Sequence, residues 1–232
     1  MKALAIDSAV TCISLAARND LAMACLTLDI GMKQSEKLLP SIDLVLQQVG
    51  LVPKDLDFIA LSQGPGSFTG LRLGFAAAKA LQMAVGCPIY PVPTLEAQAF
   101  PFLDWPGKIV SAIDAKKDRF YCQLFSHKQG NAPSDSTPEE IITQIKTLGT
   151  SDTPHDAVLL VGLDCETLKN QLQQIEPGIS FITFDPLLTS VTEALFSLAE
   201  KKFLQKDAPL AVAEGPIYLR KSEAEENHPT HH

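Results

Sequence analysis

The sequence predicts an α/β protein built as two related lobes. Three observations lead there. Short apolar runs alternate with longer amphipathic stretches along the 232 residues. The order strand, hairpin, helix, strand, helix occurs once and then recurs more loosely. Finally, Ala112-Ile113-Asp114-Ala115 echoes Ala5-Ile6-Asp7-Ser8.

In chain order, Lys2–Asp7 reads as a strand, and Thr11–Ala17 and Leu21–Leu28 as a hairpin about Arg18-Asn19-Asp20. Ser35 is placed to cap a helix running to Val49. Leu38, Ile42, Val45 and Val49 form one stripe of that helix, with Leu39 and Leu46 beside it, and Gly50 ends it. Asp57–Ser62 is a strand, followed by the glycine-rich stretch 64–74 and a helix from Phe68 to Val85 that Gly86-Cys87-Pro88 stops. Ile89–Val92 is a strand, Thr94 is placed to cap a short helix toward Phe100, and Pro101–Gly107 is a hinge.

The first lobe is thus expected over 1–103 and the second over 108–220. The second begins at Lys108 with an apolar strand ending at Asp114, Arg119–Phe125 is again strand-like, and a polar loop follows over 128–137. Thr137-Pro138-Glu139-Glu140 has the pattern of a capping box opening a helix. Strands follow at Val158–Val161 and Ile179–Phe184, with a helix between them over Cys165–Ile175. Asp185-Pro186 is expected to open a last helix to Leu204, and 221–232 is a polar tail.

Composition narrows the function classes. A 46% hydrophobic, 20% charged chain can build a real core. The formal net charge of −8, with no Lys/Arg-rich run, disfavours direct binding to a nucleic-acid backbone. The five cysteines are scattered and odd in number, so neither a metal framework nor a complete disulfide set is indicated. The N-terminus reaches Asp7 too early for a signal peptide, and no apolar run approaches ~20 residues. A cytoplasmic protein with no membrane span is expected.

The glycine-rich stretch fails both phosphate-loop patterns. A P-loop needs Gly-Lys-Ser/Thr where Gly70-Leu71-Arg72 stands, and a dinucleotide fingerprint needs glycine where Thr69 stands. Each helical glycine costs about 1 kcal/mol relative to alanine. Gly70, Gly74, Ala77 and Ala78 nevertheless follow one another around a face with almost no bulk. That face admits close approach, either of a partner helix or of the protein's own sheet. Asp7 and Asp114 end apolar strands and are the best candidates for active-site carboxylates, able to hold metal-bound phosphates or simply to accept backbone hydrogen bonds. No His-Glu-x-x-His and no Gly-x-Ser-x-Gly occurs.

The residues also resemble a known family. Ala5-Ile6-Asp7-Ser8, Ser35-Glu36-x-Leu38-Leu39-Pro40-x-Ile42 and Gly64-Pro-Gly-Ser-Phe-Thr-Gly-Leu-Arg72 look like the signature of the TsaB (YeaZ) family. So do Pro93-Thr94-Leu95-Glu96-Ala97, Ile113-Asp114-Ala115 and Pro216-Ile217-Tyr218-Leu219-Arg220. The resemblance implies an actin/Hsp70/sugar-kinase-like (ASKHA) fold and a role in making threonylcarbamoyladenosine beside the tRNA anticodon. It implies a non-catalytic subunit that binds the transferase TsaD, with the ATPase TsaE joining, and a homodimer when alone. It requires no cofactor and leaves room for ATP or ADP at the level of the complex. Contact with tRNA would be indirect. The catalytic relatives hold metal with a histidine pair on the helix after the first hairpin. Lys33–Leu39 has no histidine, and Gln34 stands where many relatives carry one.

The resemblance further implies a four-helix bundle with the partner through Leu38, Leu39, Ile42, Val45, Gly70, Gly74, Ala77 and Ala78. Asp7, Ser8 and Asp114 would line a vestigial nucleotide cleft. The competing reading is an ATP-dependent small-molecule kinase or acyl transferase of the same fold, with Asp7 and Asp114 at the phosphates. A peptidase, an older name attached to the family, finds no nucleophile–base pair here.

Overall fold

The computed structural model describes residues 1–148, 157–184 and 191–220. The first lobe holds β1 (Lys2–Asp7), β2 (Cys12–Asn19), β3 (Ala22–Asp29), α1 (Gln34–Gln48), β4 (Phe58–Gly64), α2 (Phe68–Val85), β5 (Ile89–Pro93) and α3 (Thr94–Ala99). The second holds β6 (Ile109–Asp114), β7 (Phe120–Ser126), β8 (Gln129–Gly130), β9 (Ser134–Ser136), α4 (Pro138–Thr147), β10 (Val158–Val161), α5 (Cys165–Ile175) and β11 (Phe181–Thr183). A last helix, α6, spans Val191–Gln205.

The two sheets repeat one plan. The first runs β3-β2-β1-β4-β5 and the second β8-β7-β6-β10-β11, with β9 paired to β7. In each, the opening hairpin is antiparallel and the later strands are parallel to the first. Asp7 and Asp114 therefore occupy the same place, the last residue of the first strand in each lobe.

Alternation along β1 explains the layers. Leu4 and Ile6 face one way and, with Ile13, Leu15, Ile59 and Leu61, pack beneath α1 and α2. Ala3 and Ala5 face the other way and, with Ala16, Phe58 and Ala60, pack beneath α3 and α6. The alanines on that second face leave room for α6 to lie close. Phe203 of α6 packs on Phe58, ring centroids 5.2 Å apart, and edge-on to Tyr90 at 5.9 Å.

The last helix thus belongs spatially to the first lobe, although it follows the second in sequence. The chain after it stays there: Leu210 is buried in the first lobe's core and Ile217 N–H bonds Gln63 O at 2.8 Å. The expected division into 1–103 and 108–220 follows chain order, but packing assigns 191–218 to the first lobe. The helix α3 is the joint between lobes. Ala97 lies in the first lobe's core, Ala99 in an apolar cluster of the second, and Ser111 Oγ donates to Gln98 Oε1 at 3.0 Å.

Local chemistry moved several expected boundaries. The first hairpin turns at Asp20-Leu21, so Arg18 and Asn19 remain in register. Both are held: Arg18 pairs with Glu200 at 2.6 Å and lies over the Phe196 ring, and Asn19 donates to Val49 O at 3.0 Å. Ser35 does not cap α1, which starts at Gln34 after a single 3-10 turn. Thr94 does not cap α3; its hydroxyl accepts the Gly64 N–H at 3.0 Å and anchors the end of β4. The polar stretch 128–137 contains β8 and β9.

The capping box of α4 forms as expected, with Thr137 and Glu140 each closing the other's backbone N–H. The expected start of the last helix at Asp185-Pro186 and the tail 221–232 lie outside the described residues. Cys12, Cys87, Cys122 and Cys165 are buried, Cys25 is exposed, and all five are free. No described helix is long and apolar enough to cross a membrane.

Because α6 covers the first sheet, Phe196→Ala should cost about 3–5 kcal/mol. Hydrogen exchange should then show protection lost in β1 and β4 before β6 and β10; loss confined to the second sheet would contradict this packing.

Candidate functional site: the interlobe cleft and the α1–α2 face

The glycine-rich stretch closes the first lobe on itself. Ser67 caps α2, accepting the Gly70 N–H on its side chain, while its own N–H bonds Ala9 O at 2.6 Å. A Cβ on Gly66 would overlap the Ala9 carbonyl, one on Gly70 the Ser8 carbonyl, and one on Gly74 the Ser8 hydroxyl. Ser8 Oγ in turn donates to Gly70 O at 2.8 Å. The first two turns of α2 therefore rest directly on the β1–β2 turn, and only glycine permits that distance.

This seating decides where Asp7 and Ser8 lie. Both are 2% exposed, and neither lines the cleft. Asp7 Oδ1 accepts Ser62 Oγ at 2.5 Å and the Ala9 N–H at 3.0 Å. Burial pushes the Asp7 carboxyl above its ordinary value, while these two hydrogen bonds pull the other way. The expected placement of Asp7 and Ser8 in the cleft is thus corrected: both are structural groups beneath the α2 turn. Gln34 likewise serves the fold, donating to Val10 O at 3.1 Å and Thr11 O at 2.6 Å.

Asp114 does reach the cleft. The cavity there, about 320 Å³, lies between residues 9–11 and 66–68 of the first lobe and 113–117 of the second. Tyr121, Asp164, Tyr218 and Arg220 complete it. Asp114 is spoken for within it: Lys116 Nζ sits 2.6 Å from Oδ2, and the Lys116 N–H donates to Oδ1 at 2.7 Å. The side-chain hydrogen bond from Nζ to Asp114 holds the Lys116 ammonium above its ordinary value. Lys116, Lys117 and Asp118 all take positive φ, of 62, 58 and 54°, so the β6–β7 turn is tightly coiled at the cleft mouth. On the first lobe's side the Ser67 N–H is spent on Ala9 O and the Gly70 N–H on the Ser67 hydroxyl. Among the described residues no group of three or more His, Cys, Asp or Glu is placed to hold a metal ion.

The expected partner residues are mostly internal. Leu38, Ile42, Val45, Ala77 and Ala78 are at most 6% exposed and lie in the first lobe's core. Gly70 and Gly74 are buried against Ser8. Leu39 alone is open, at 58%. The helix stripe and the small-residue face point to the protein's own sheet because that sheet supplies their apolar burial. Among the exposed residues of α1 and α2 the apolar ones include Leu39, Leu44 and Met83 (87% exposed), with Ala76 and Ala80, beside polar groups such as Glu36, Lys37, Asp43 and Arg72.

Several cleft residues had no role assigned from sequence: Lys116, Asp164, Tyr218 and Arg220. The signal for the last two was the motif Pro216–Arg220 itself. Tyr218 stacks on Phe68 at 4.8 Å, and Arg72 lies 3.8 Å over the other ring of that pair.

Two lobes of one plan, joined at a helix with a cleft between first-strand ends, define the actin/Hsp70/sugar-kinase class. Solved structures agree. YeaZ from Pseudomonas aeruginosa superposes with a TM-score of 0.71 at 21% identity, covering 94% of this chain and 99% of that one. The inorganic polyphosphate/ATP-glucomannokinase of Arthrobacter sp. strain KM gives 0.50 at 10% identity, covering 86% and 99%. A family model described as TsaD, tRNA N6-adenosine threonylcarbamoyltransferase, matches residues 31–228. The tRNA threonylcarbamoyladenosine biosynthesis protein TsaB of Bacillus subtilis is 28% identical over 97% of this chain and 96% of its own length. The chain belongs to this family, on its TsaB (YeaZ) branch.

Two substitutions test the seating of α2. Gly74→Leu should destabilise the first lobe by about 1–3 kcal/mol through overpacking against Ser8; an unchanged denaturation midpoint would place Gly74 at the surface. Asp7→Asn tests the buried acid. A carboxyl raised above its unfolded value of 3.8 favours the fold while protonated, and that contribution disappears as pH rises through the folded value. Urea titrations across that window should show wild type losing stability relative to Asp7→Asn as pH rises, and the difference levelling off above it.

Proposed function

We propose that this protein serves tRNA threonylcarbamoyladenosine biosynthesis as a non-catalytic subunit that docks and activates a TsaD-type transferase, with TsaE joining the assembly. The family match over residues 31–228 carries the reading. The hydrogen bonding in and beneath the cleft supports it. Asp7 is enclosed by Ser62 and Ala9, the Ser8 hydroxyl is committed to Gly70, and Asp114 is paired with Lys116. Carboxylates so engaged are poorly placed to work on phosphate, which counts against a kinase or acyl transferase of the same fold. A net charge of −8 suits a subunit that meets tRNA only through its partner in the cytoplasm. The role needs no cofactor of its own, with ATP or ADP acting at the level of the complex.

The docking surface in this reading is the outward side of α1 and α2, with Leu39, Leu44 and Met83 as apolar anchors and Ala76 and Ala80 admitting close approach. The same surface would form an isologous homodimer when the transferase is absent.

Reconstitution tests the function. Purified protein, TsaD, TsaE, tRNA and a threonylcarbamoyl donor should yield modified tRNA, and omission of this chain should abolish the product. Modification that proceeds without it, or metabolite phosphorylation by this chain alone, overturns the reading. In the same assay Leu39→Glu and Met83→Glu should weaken binding to TsaD about tenfold or more with the melting temperature unchanged.

A further inference from the structure

The last described stretch of chain links the two lobes at the mouth of the cleft. From residue 210 to 218 it is fixed to the first lobe at successive points. The Leu210 N–H bonds Ile89 O at 2.8 Å, Lys79 Nζ holds Val212 O at 2.8 Å and also reaches Glu214 O, and the Ile217 N–H bonds Gln63 O at 2.8 Å. Tyr218 then stacks on Phe68, with its hydroxyl 3.4 Å from Arg72 Nε. Two residues later the attachment changes lobe. Arg220 NH2 and Nε lie 2.7 and 2.9 Å from Asp135 Oδ2, and its NH1 donates to Ala115 O at 3.2 Å.

The receiving carboxylate is held from both sides. Asp135 Oδ1 accepts Arg119 Nε at 2.8 Å, so each oxygen is taken by a different arginine, one from its own lobe and one from the strap. The Arg220 and Asp135 side chains are only 22% and 17% exposed, so solvent screens their pairing far less than that of a surface pair. Tyr218 and Arg220 are themselves walls of the cleft.

Position gives this contact its leverage. The lobes share α3, and the chain enters the second lobe at Ile109, the start of β6. The strap grips at Ala115, just past the other end of that strand, and at Asp135, level with Ile113 through Tyr121; that far end lies about 17 Å from Ile109 at ~3.3 Å per residue. A fastening so far from the joint resists rotation of one lobe against the other more effectively than one beside it.

We propose that residues 210–220 form a strap whose Arg220–Asp135 ion pair latches the second lobe to the first and sets how far the cleft opens. This goes beyond the docking role and does not depend on it. Leu219 is the only spacer between the Tyr218 anchor and the latch, so strap and cleft width are coupled with little slack.

Arg220→Gln is the selective test, because Asp135 keeps its bond to Arg119. Nitroxides at Lys33→Cys and Glu139→Cys in a Cys25→Ser background, diluted with unlabelled protein, report the separation of the lobes by pulsed electron resonance. Arg220→Gln should broaden and lengthen the distance distribution at an unchanged melting temperature, and Arg220→Lys should restore most of the narrow one. A folded Arg220→Gln whose distribution superimposes on wild type overturns the latch. Should that variant fail to fold, Asp135→Asn is read by the same criterion.

Discussion

The seating of α2 on the β1–β2 turn is the contact on which the rest of the first lobe depends. It works because Gly66, Gly70 and Gly74 carry no Cβ where the Ser8 and Ala9 atoms already stand. Backbone can then meet backbone, and the polar groups brought together satisfy one another: Ser67 N–H to Ala9 O, Ser8 Oγ to Gly70 O. The helical glycines cost about 1 kcal/mol each in propensity. That cost is offset by a helix packed close enough to bury Leu71, Phe75 and Ala78 fully against the sheet. The same closure buries Asp7, fixes the wall of the cleft and determines which face of α2 looks outward.

The two lobes show what that closure changes. Both follow one strand order, and both end their first strand in aspartate. In the first lobe the helix turn descends and the acid is sealed. In the second, the helix after β10 begins through Gly162-Leu163-Asp164, without the glycine pair that would let it settle on the β6–β7 turn. Asp114 accordingly stays in the cleft and takes Lys116 as its counter-ion. One plan thus yields a structural carboxylate in one lobe and a solvent-facing ion pair in the other.

Chain order and spatial order also part company. The small residues Ala3, Ala5, Ala16 and Ala60 form a shallow surface that α3, which also serves the joint, covers only in part, and a late helix covers the rest. The helix α6 returns to that surface and carries the strap with it. The first lobe is therefore complete only when the last fifth of the chain has been made, and its stability is tied to residues some 190 positions away, as the Arg18–Glu200 pair illustrates at a separation of 182.

Local chemistry was readable from the sequence wherever it acted over a few residues: the capping box at Thr137–Glu140, the glycine stop at Gly86, the apolar strand Lys2–Asp7 and the repeated order of elements that gives the two-lobed fold. The family resemblance was likewise readable, since the Gly64–Gly74 run and the motifs flanking it are contiguous residues. Positions that depend on what lies opposite were not. Thr94 and Ser35 fit a cap pattern, but Thr94 bonds Gly64 across the lobe and α1 starts a residue early. Leu38, Ile42, Val45, Gly70 and Gly74 formed a face fit for another helix, and periodicity does not say whether that face meets a partner or the protein's own sheet. Burial decided it, because the apolar sheet beneath is covalently present at high effective concentration and takes the stripe first. The strap is the plainest case. Pro216–Arg220 was visible as a motif, yet its partners Gln63, Phe68 and Asp135 lie 85 to 154 residues away in sequence, and only the folded chain brings them together.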